Sequence, residues 1–290
     1  MPANVASVQR PAALHIPGDR KACALPSAKV MDKWANECAG VRADAEADNV
    51  IQMFDVIGED YWTGGGITAK TVAAQLKAIG DKPVTVQINS PGGDMFEGIA
   101  IYNVLREHGQ EVTVQIMGMA ASAASIIAMA GDSVEIGAAS FLMIHNCWVI
   151  AVGNANDMRA LADWLAPFDQ AMRDVYVARS GLKPEEVAQM MDDETYLSGA
   201  KAIDLGLADV LLSSDKVKED ASAKSAAREL TDVRALELAA VASGKMTRTA
   251  ARARIQNLKG TPGAVLPVTP GADEPDWVEA MNALTQSLKS

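Results

Sequence analysis

Aromatic side chains are scarce in this sequence: Phe, Tyr and Trp supply only 4% of its 290 residues. A core must therefore be built from Ala, Val, Ile, Leu and Met, which the 49% hydrophobic content allows. Basic residues are outnumbered, 26 Lys and Arg against 37 Asp and Glu, for a formal net charge of −11. That balance argues against a general nucleic-acid binder, which would carry a basic face, and against a polybasic membrane anchor. The three cysteines, Cys23, Cys38 and Cys147, are scattered with no pair at zinc-ligand spacing, and His-x-x-x-His is absent. No metal and no cofactor is expected. An odd number of cysteines points to a reducing compartment, so the cytoplasm is the expected location. No charge-free apolar run approaches the roughly 18 residues of a membrane span. Residues 1–5 lack a basic region followed by an apolar core, so no secretory signal is expected either.

What is present reads as alternating strands and helices. Residues 1–47 carry little periodicity, are broken by Pro11, Pro17 and Pro26, and are expected to be a flexible or loosely docked arm. Residues 49–57 read as a first strand. Tyr61-Trp-Thr-Gly-Gly-Gly66 reads as a plain turn; no Gly-Lys-Ser/Thr follows, so a phosphate cradle is not expected. Thr68 caps a helix to about Ile79. Residues 83–88 form a second strand ending in Asn89-Ser90-Pro91-Gly92-Gly93-Asp94, and a helix follows with Ile99, Tyr102 and Leu105 on its inner side. A third strand, 112–117, leads into Gly118-Met-Ala-Ala-Ser122, so strand, glycine turn and helix occur twice in succession. Two short strands, 133–136 and 141–144, precede His145. The longest helical pattern, 154–179, contains Pro167, which should kink it. A short helix 184–191, an acidic turn Asp192-Asp193-Glu194, a helix capped by Ser198 and a last strand 207–212 complete a domain over 48–213. Residues 214–290 form a C-terminal extension: an Ala-, Lys-, Glu- and Arg-rich helical segment without a wide apolar face, a Pro/Gly linker over 261–275, and a short helix with Trp277, Met281, Leu284 and Leu288 as a narrow stripe.

Ser122 sits where a strand gives way to an alanine-rich helix. The amides there lack intrahelical partners and can bind an oxygen that becomes negative, while Gly and Ala neighbours let a substrate backbone approach. A nucleophilic serine fits that setting. So does a tightly packed helix start with Ser122 as its cap. A serine nucleophile needs a base. Of three histidines, His15 falls in the arm and His108 is explained by a helix end, which leaves His145. The acidic turn could supply a group that orients the imidazole. Cys147, two residues past His145, makes a Cys–His pair conceivable, although neighbours in sequence seldom have the approach geometry.

Four motifs in this order, Ile88-Asn-Ser-Pro-Gly-Gly93, Gly118-Met-Ala-Ala-Ser122, Met143-Ile-His145-Asn and Leu197-Ser-Gly-Ala-Lys-Ala-Ile-Asp-Leu-Gly-Leu-Ala-Asp209, resemble the proteolytic subunit of the Clp protease. The resemblance covers about residues 49–212. The Trp62-Thr-Gly-Gly-Gly loop, Ala120 to Gly131 and Glu194-Thr-Tyr look most like the ClpP-like head maturation (prohead) proteases of tailed phages and prophages. The resemblance implies an α/β fold, a ClpP/crotonase-type spiral of repeated strand–turn–helix units with a long handle helix. It implies Ser122 as nucleophile, His145 as base, and oxyanion donors at the backbone N–H of Gly93 and Ala123. The family acid, usually aspartate, falls on Glu194, with Asp193 as the alternative. It further implies a ring homo-oligomer, peptide or protein substrates such as phage scaffold and capsid proteins, and terminal segments that serve assembly or self-cleavage. An ATPase unfoldase partner is left open. Two other readings stand beside it: a crotonase-like acyl-CoA enzyme, and a catalytically inactive ClpP-like scaffold.

Overall fold

The computed structural model describes residues 26–42, 47–149, 151, 153–212, 218–243 and 246–259. The first 25 residues of the expected arm, with His15 and Cys23, lie outside these, as do the 261–275 linker and the Trp277 stripe.

The described part of the arm is docked. Ser27 caps α1 (Ala28–Lys33), which runs on into a π-helical stretch, Trp34–Cys38. Val30, Met31, Trp34, Ala35 and Cys38 are buried there, packed with Val56, Met119, Ala121 and Met143. Asn89, fully buried, makes the joint. Its Oδ1 and backbone oxygen accept from Trp34 Nε1 at 3.1 and 3.2 Å, and its Nδ2 donates to the Cys38 oxygen at 2.6 Å. Burial of one indole and a satisfied buried amide hold a segment whose sequence shows no periodicity. A two-residue strand, β1 (Val41–Arg42), follows.

A parallel sheet organises the rest. β2 (Val50–Met53) pairs with β3 (Val84–Ser90), which pairs with β4 (Val112–Ala121), which pairs with β5 (Ser133–Ile136). Val84, Val86 and Ile88 alternate toward one face with Val112, Val114 and Ile116, all buried. The opposite face carries an in-register ladder: Gln52 donates to Gln87, Gln87 to Gln115, and Gln115 to Glu135, at 3.0, 3.3 and 2.8 Å. Each amide thus satisfies its neighbour on a largely buried surface. Two helices cover the apolar face. α2 (Ala69–Ile79), capped by Thr68, buries Val72, Leu76 and Ile79; α3 (Met95–Arg106), capped by Asp94, buries Ile101, Tyr102 and Leu105.

Beyond β4 the chain forms α4 (Ala123–Ala128), wholly buried, then β5, then β6 (Phe141–Ile144). The strand over 112–117 is longer than the sequence predicts. Met119, Ala120 and Ala121 pair with Phe141, Leu142 and Met143, so the small residues complete the strand and the turn is confined to Ser122. The long helix α5 (Ala155–Ser180) passes through Pro167 without ending there, and Gly181 closes it in the left-handed region. α6 (Pro184–Asp192) is followed by β7 (Thr195–Ser198), a strand the sequence does not predict, antiparallel to β6. α7 (Gly199–Asp204), capped by Ser198, leads to β8 (Val210–Leu211), parallel to β5 and shorter than expected. β9 (Lys218–Glu219) pairs with β1. The result is the α/β architecture of repeated strand–turn–helix units.

The compact units of the chain part at Arg228–Glu229, within α8 (Ala221–Ala242), whereas the composition changes at Ser213. In the second unit, Glu237 is buried and accepts from Arg248 and Arg252 of α9 (Arg248–Lys259), and Val233, Leu238 and Ile255 are buried as well. No helix among the described residues is long and apolar enough to cross a membrane.

Candidate active site

Register explains why residues far apart in sequence meet. In the parallel β4–β6 pair Ala121 lies opposite Met143, so the chain leaves the two strands with Ser122 beside Ile144 and His145. The Ser122 N–H, donating to the Met143 oxygen at 3.0 Å, fastens the two ends. In the antiparallel β6–β7 pair Ile144 faces Thr195, and one step further along each strand brings His145 toward Glu194. Three residues from three separate motifs are thus delivered to one corner by two strand pairings.

Ser122 Oγ and His145 Nε2 are 2.7 Å apart although 23 positions separate them. Both are buried, at 9% and 4% exposure, which shields the pair from competing water. Ser122 has φ 56° and ψ −125°, a left-handed conformation uncommon for a side chain other than glycine. Such a backbone costs on the order of 1–3 kcal/mol and persists only where surrounding bonds over-determine it. Here they do. Beside the N–H bond to Met143, the Ser122 carbonyl accepts from Ser125 N at 2.9 Å and from Ser125 Oγ at 2.6 Å.

The Pro91-Gly92-Gly93 turn lies against this corner. A Cβ on Gly92, whose φ is +87°, would stand 2.5 Å from the Ala121 oxygen and 2.7 Å from Ser122 Cβ, so only glycine permits the approach. Gly93 bridges to Ile57, using the carbonyl of Gly92 and the amide of Asp94. That pattern leaves the N–H of Gly93 itself unused by the bridge. Ala123 is the first residue of α4, so its N–H has no intrahelical acceptor. The Tyr61–Gly66 loop is a tight turn in which Gly64 N donates to the Asp60 oxygen, and Ile57 bridges to Ile67 just beyond it.

Burial lowers the pKa of His145 below its ordinary 6.5, and the negative charge of Glu194 partly offsets this. Glu194 acts on the ring through its charge rather than through a hydrogen bond. Its carboxylate lies 3.4 Å from Lys29 Nζ, and its backbone takes φ +48°. Asp193, the alternative acid, accepts from Gln189 on α6 at 3.0 Å. Two other carboxylates clamp the strand end, Asp192 from the acidic turn and Asp169, which the sequence did not single out. Asp192 accepts from Asn146 Nδ2, and Asp169 on α5 accepts from Cys147 N, each at 2.6 Å. Cys147 turns its sulfur away, toward Met95 at 2.8 Å and Met172 at 3.3 Å, and burial with the Asp169 carboxylate pushes its thiol far up. Facing two methionines, with its pKa raised, Cys147 is ill placed and ill suited to form a Cys–His pair. His108 is occupied elsewhere, but not at the helix end the sequence suggests: α3 stops at Arg106, and the His108 ring bonds to the Lys82 oxygen at 2.8 Å.

The Clp protease family model matches residues 65–215, more than half of the chain. The chain belongs to the Clp protease family. Over 157 residues it is 29% identical to ATP-dependent Clp protease proteolytic subunit 1 of Prochlorococcus marinus (strain MIT 9312), across 52% of this chain and 80% of that protein. Over 175 residues it is 27% identical to the ATP-dependent Clp protease proteolytic subunit of Ligilactobacillus salivarius (strain UCC118), across 58% of this chain and 85% of that one. As a Clp-type protease the chain is a serine-type peptidase, and the acyl-CoA reading is set aside.

Proposed function

We propose that the chain hydrolyses peptide bonds with Ser122 as nucleophile and His145 as general base and acid. The observation that carries this reading is the buried 2.7 Å contact between Ser122 Oγ and His145 Nε2 at a strained strand-to-helix turn. Ser122 Oγ attacks the peptide carbonyl carbon and its proton passes to His145 Nε2. The carbonyl oxygen, now negative, is held by the N–H groups of Gly93 and Ala123. Imidazolium then protonates the leaving amine, the C–N bond breaks, and an acyl-enzyme remains. His145 next deprotonates water, which attacks the ester and returns Ser122 Oγ with its proton. Glu194 is the acid, supporting the imidazolium by its charge; Asp193 is instead engaged by Gln189.

The site works inside a ring of identical subunits, in keeping with relatives that are proteolytic subunits. Its natural substrates are phage scaffold or capsid proteins, a reading supported by the Trp62-Thr-Gly-Gly-Gly66 loop and by the extension beyond Ser213. The test is a fluorophosphonate probe together with a fluorogenic peptide. Labelling and hydrolysis present in the wild type and lost in Ser122→Ala support the assignment. A ring that assembles yet neither labels nor cleaves is an inactive scaffold. Scaffold and capsid proteins left intact by an enzyme that cleaves model peptides would remove the phage role alone.

A further inference from the structure

A pair of hydroxyls lies directly beneath the nucleophile, and the mechanism above does not use it. Ser125 Oγ is 2.6 Å from the Ser122 carbonyl oxygen and 2.7 Å from Tyr176 Oη on α5, and Ser125 and Tyr176 are both wholly buried. The direction of the protons follows from valence. A carbonyl oxygen only accepts, so Ser125 gives its single proton to Ser122, and the tyrosine must donate to Ser125. Tyr176 always has that proton to give, because burial pushes its pKa well above the ordinary 10.

The carbonyl being held belongs to a special peptide. The Ser122 C=O and the Ala123 N–H are opposite edges of one rigid plane, so fixing the oxygen fixes the direction of the amide hydrogen. Ser125 N also donates to that oxygen, at 2.9 Å, and together the donors pin the plane at a residue whose φ of 56° gives it no intrinsic preference for staying there. We propose that Ser125 and Tyr176 are positioning residues that aim the Ala123 N–H at the developing oxyanion, so that α5 sets the reactivity of Ser122 without touching the substrate. The inference rests on the peptidase reading above.

Tyr176→Phe tests it, because Phe fills the same volume and removes only the donating oxygen. Ser125→Ala removes the whole relay. Each variant is measured for kcat, KM, affinity for a peptide boronate that forms a tetrahedral adduct, affinity for a product peptide, ring assembly and melting temperature. The expected result is a kcat lowered roughly three- to tenfold, the scale of one neutral hydrogen bond. KM and product affinity stay unchanged, and boronate affinity falls by the same factor as kcat. The double variant should lose little more than Ser125→Ala alone, since the two hydroxyls act in series. Unchanged kcat and boronate affinity in both variants, with wild-type enzyme still labelled at Ser122, overturn the inference alone. A fall in kcat matched by equal losses in product affinity or by loss of folded protein also overturns it. Failure of the wild type to label at Ser122 overturns the peptidase reading and the inference together.

Discussion

Gly92→Ala is the most informative single perturbation of the site. The variant meets two penalties that can be separated. The first is backbone strain: alanine at φ +87° costs on the order of 1–3 kcal/mol. For a domain of this size that lowers the melting temperature by about 2–12 °C. The second is steric. The new methyl stands 2.5 Å from the Ala121 oxygen, a shortfall of about 0.9 Å against the 3.4 Å at which ordinary contact begins. Loop and serine turn must part by nearly that amount, and a misplacement of about 1 Å costs about 100-fold in rate. Hydrolysis of a fluorogenic peptide should therefore show kcat/KM lowered about 100-fold, with fluorophosphonate labelling slowed in parallel. Gly64→Ala is the control. Gly64 has φ +67° but nothing within 4 Å of the added atom, so it carries the backbone penalty without the collision. Its turnover should stay within about twofold of wild type, as for changes remote from the chemistry. Wild-type turnover in Gly92→Ala, or an equal loss in Gly64→Ala, would refute the claim that close approach of this turn to Ser122 builds the site.

Other outcomes follow from the same geometry. His145 must be neutral to accept a proton, and burial keeps its pKa below 6.5, so the acid limb of kcat/KM should lie below that pH. The linked stability has the same sign: the unfolded chain binds the extra proton first, so stability tied to this group is intact above pH 6.5 and is lost as pH falls through the lower folded value. Glu194→Gln removes the charge that raises the imidazole pKa and should move the acid limb lower still while reducing kcat, whereas Asp193→Asn leaves the limb in place; a limb that shifts only in Asp193→Asn would reassign the acid. Cys147→Ala should keep fluorophosphonate labelling at Ser122, and mass spectrometry that finds the label gone from a folded variant would contradict the reading of Cys147 as an inert thiol. Trp34→Ala removes an indole that is 3% exposed and should cost about 3–5 kcal/mol in denaturant unfolding, against under about 1 kcal/mol if the segment before β2 were only loosely attached.

Much of this architecture was legible in the sequence because local signals and tertiary context agreed. Thr68 and Ser198 cap the helices that their patterns predict, and the two short strands flanking residues 137–140 fall where β-type residues cluster. Two features were hidden because their stabilisation is not local. Residues 28–38 have no clean period, and they are held by one tryptophan on a buried asparagine 55 positions away. β7, as short as β5 and β6, is hidden between an acidic turn and the helix cap Ser198, and it forms because β6 offers an open edge. The site divides in the same way. Ser122 and His145 could be picked out by residue type and elimination, whereas the residues alone offered only the acidic turn, and Glu194 within it came from the resemblance to the Clp family. The contacts around them, Ser125 with Tyr176 and the Asp169 clamp, involve residue types too common to stand out until α5 brings them to the site, and Asp192 of the acidic turn bonds Asn146 rather than the imidazole.

The most direct test is a crystal structure of the assembled protein soaked with a peptide boronate. The account predicts a covalent bond from Ser122 Oγ to boron, one boronate oxygen within hydrogen-bond distance of both the Gly93 and Ala123 N–H groups, and His145 Nε2 beside the other. Boron bonded to a different residue, or an adduct on Ser122 whose oxygens meet neither amide, would contradict it.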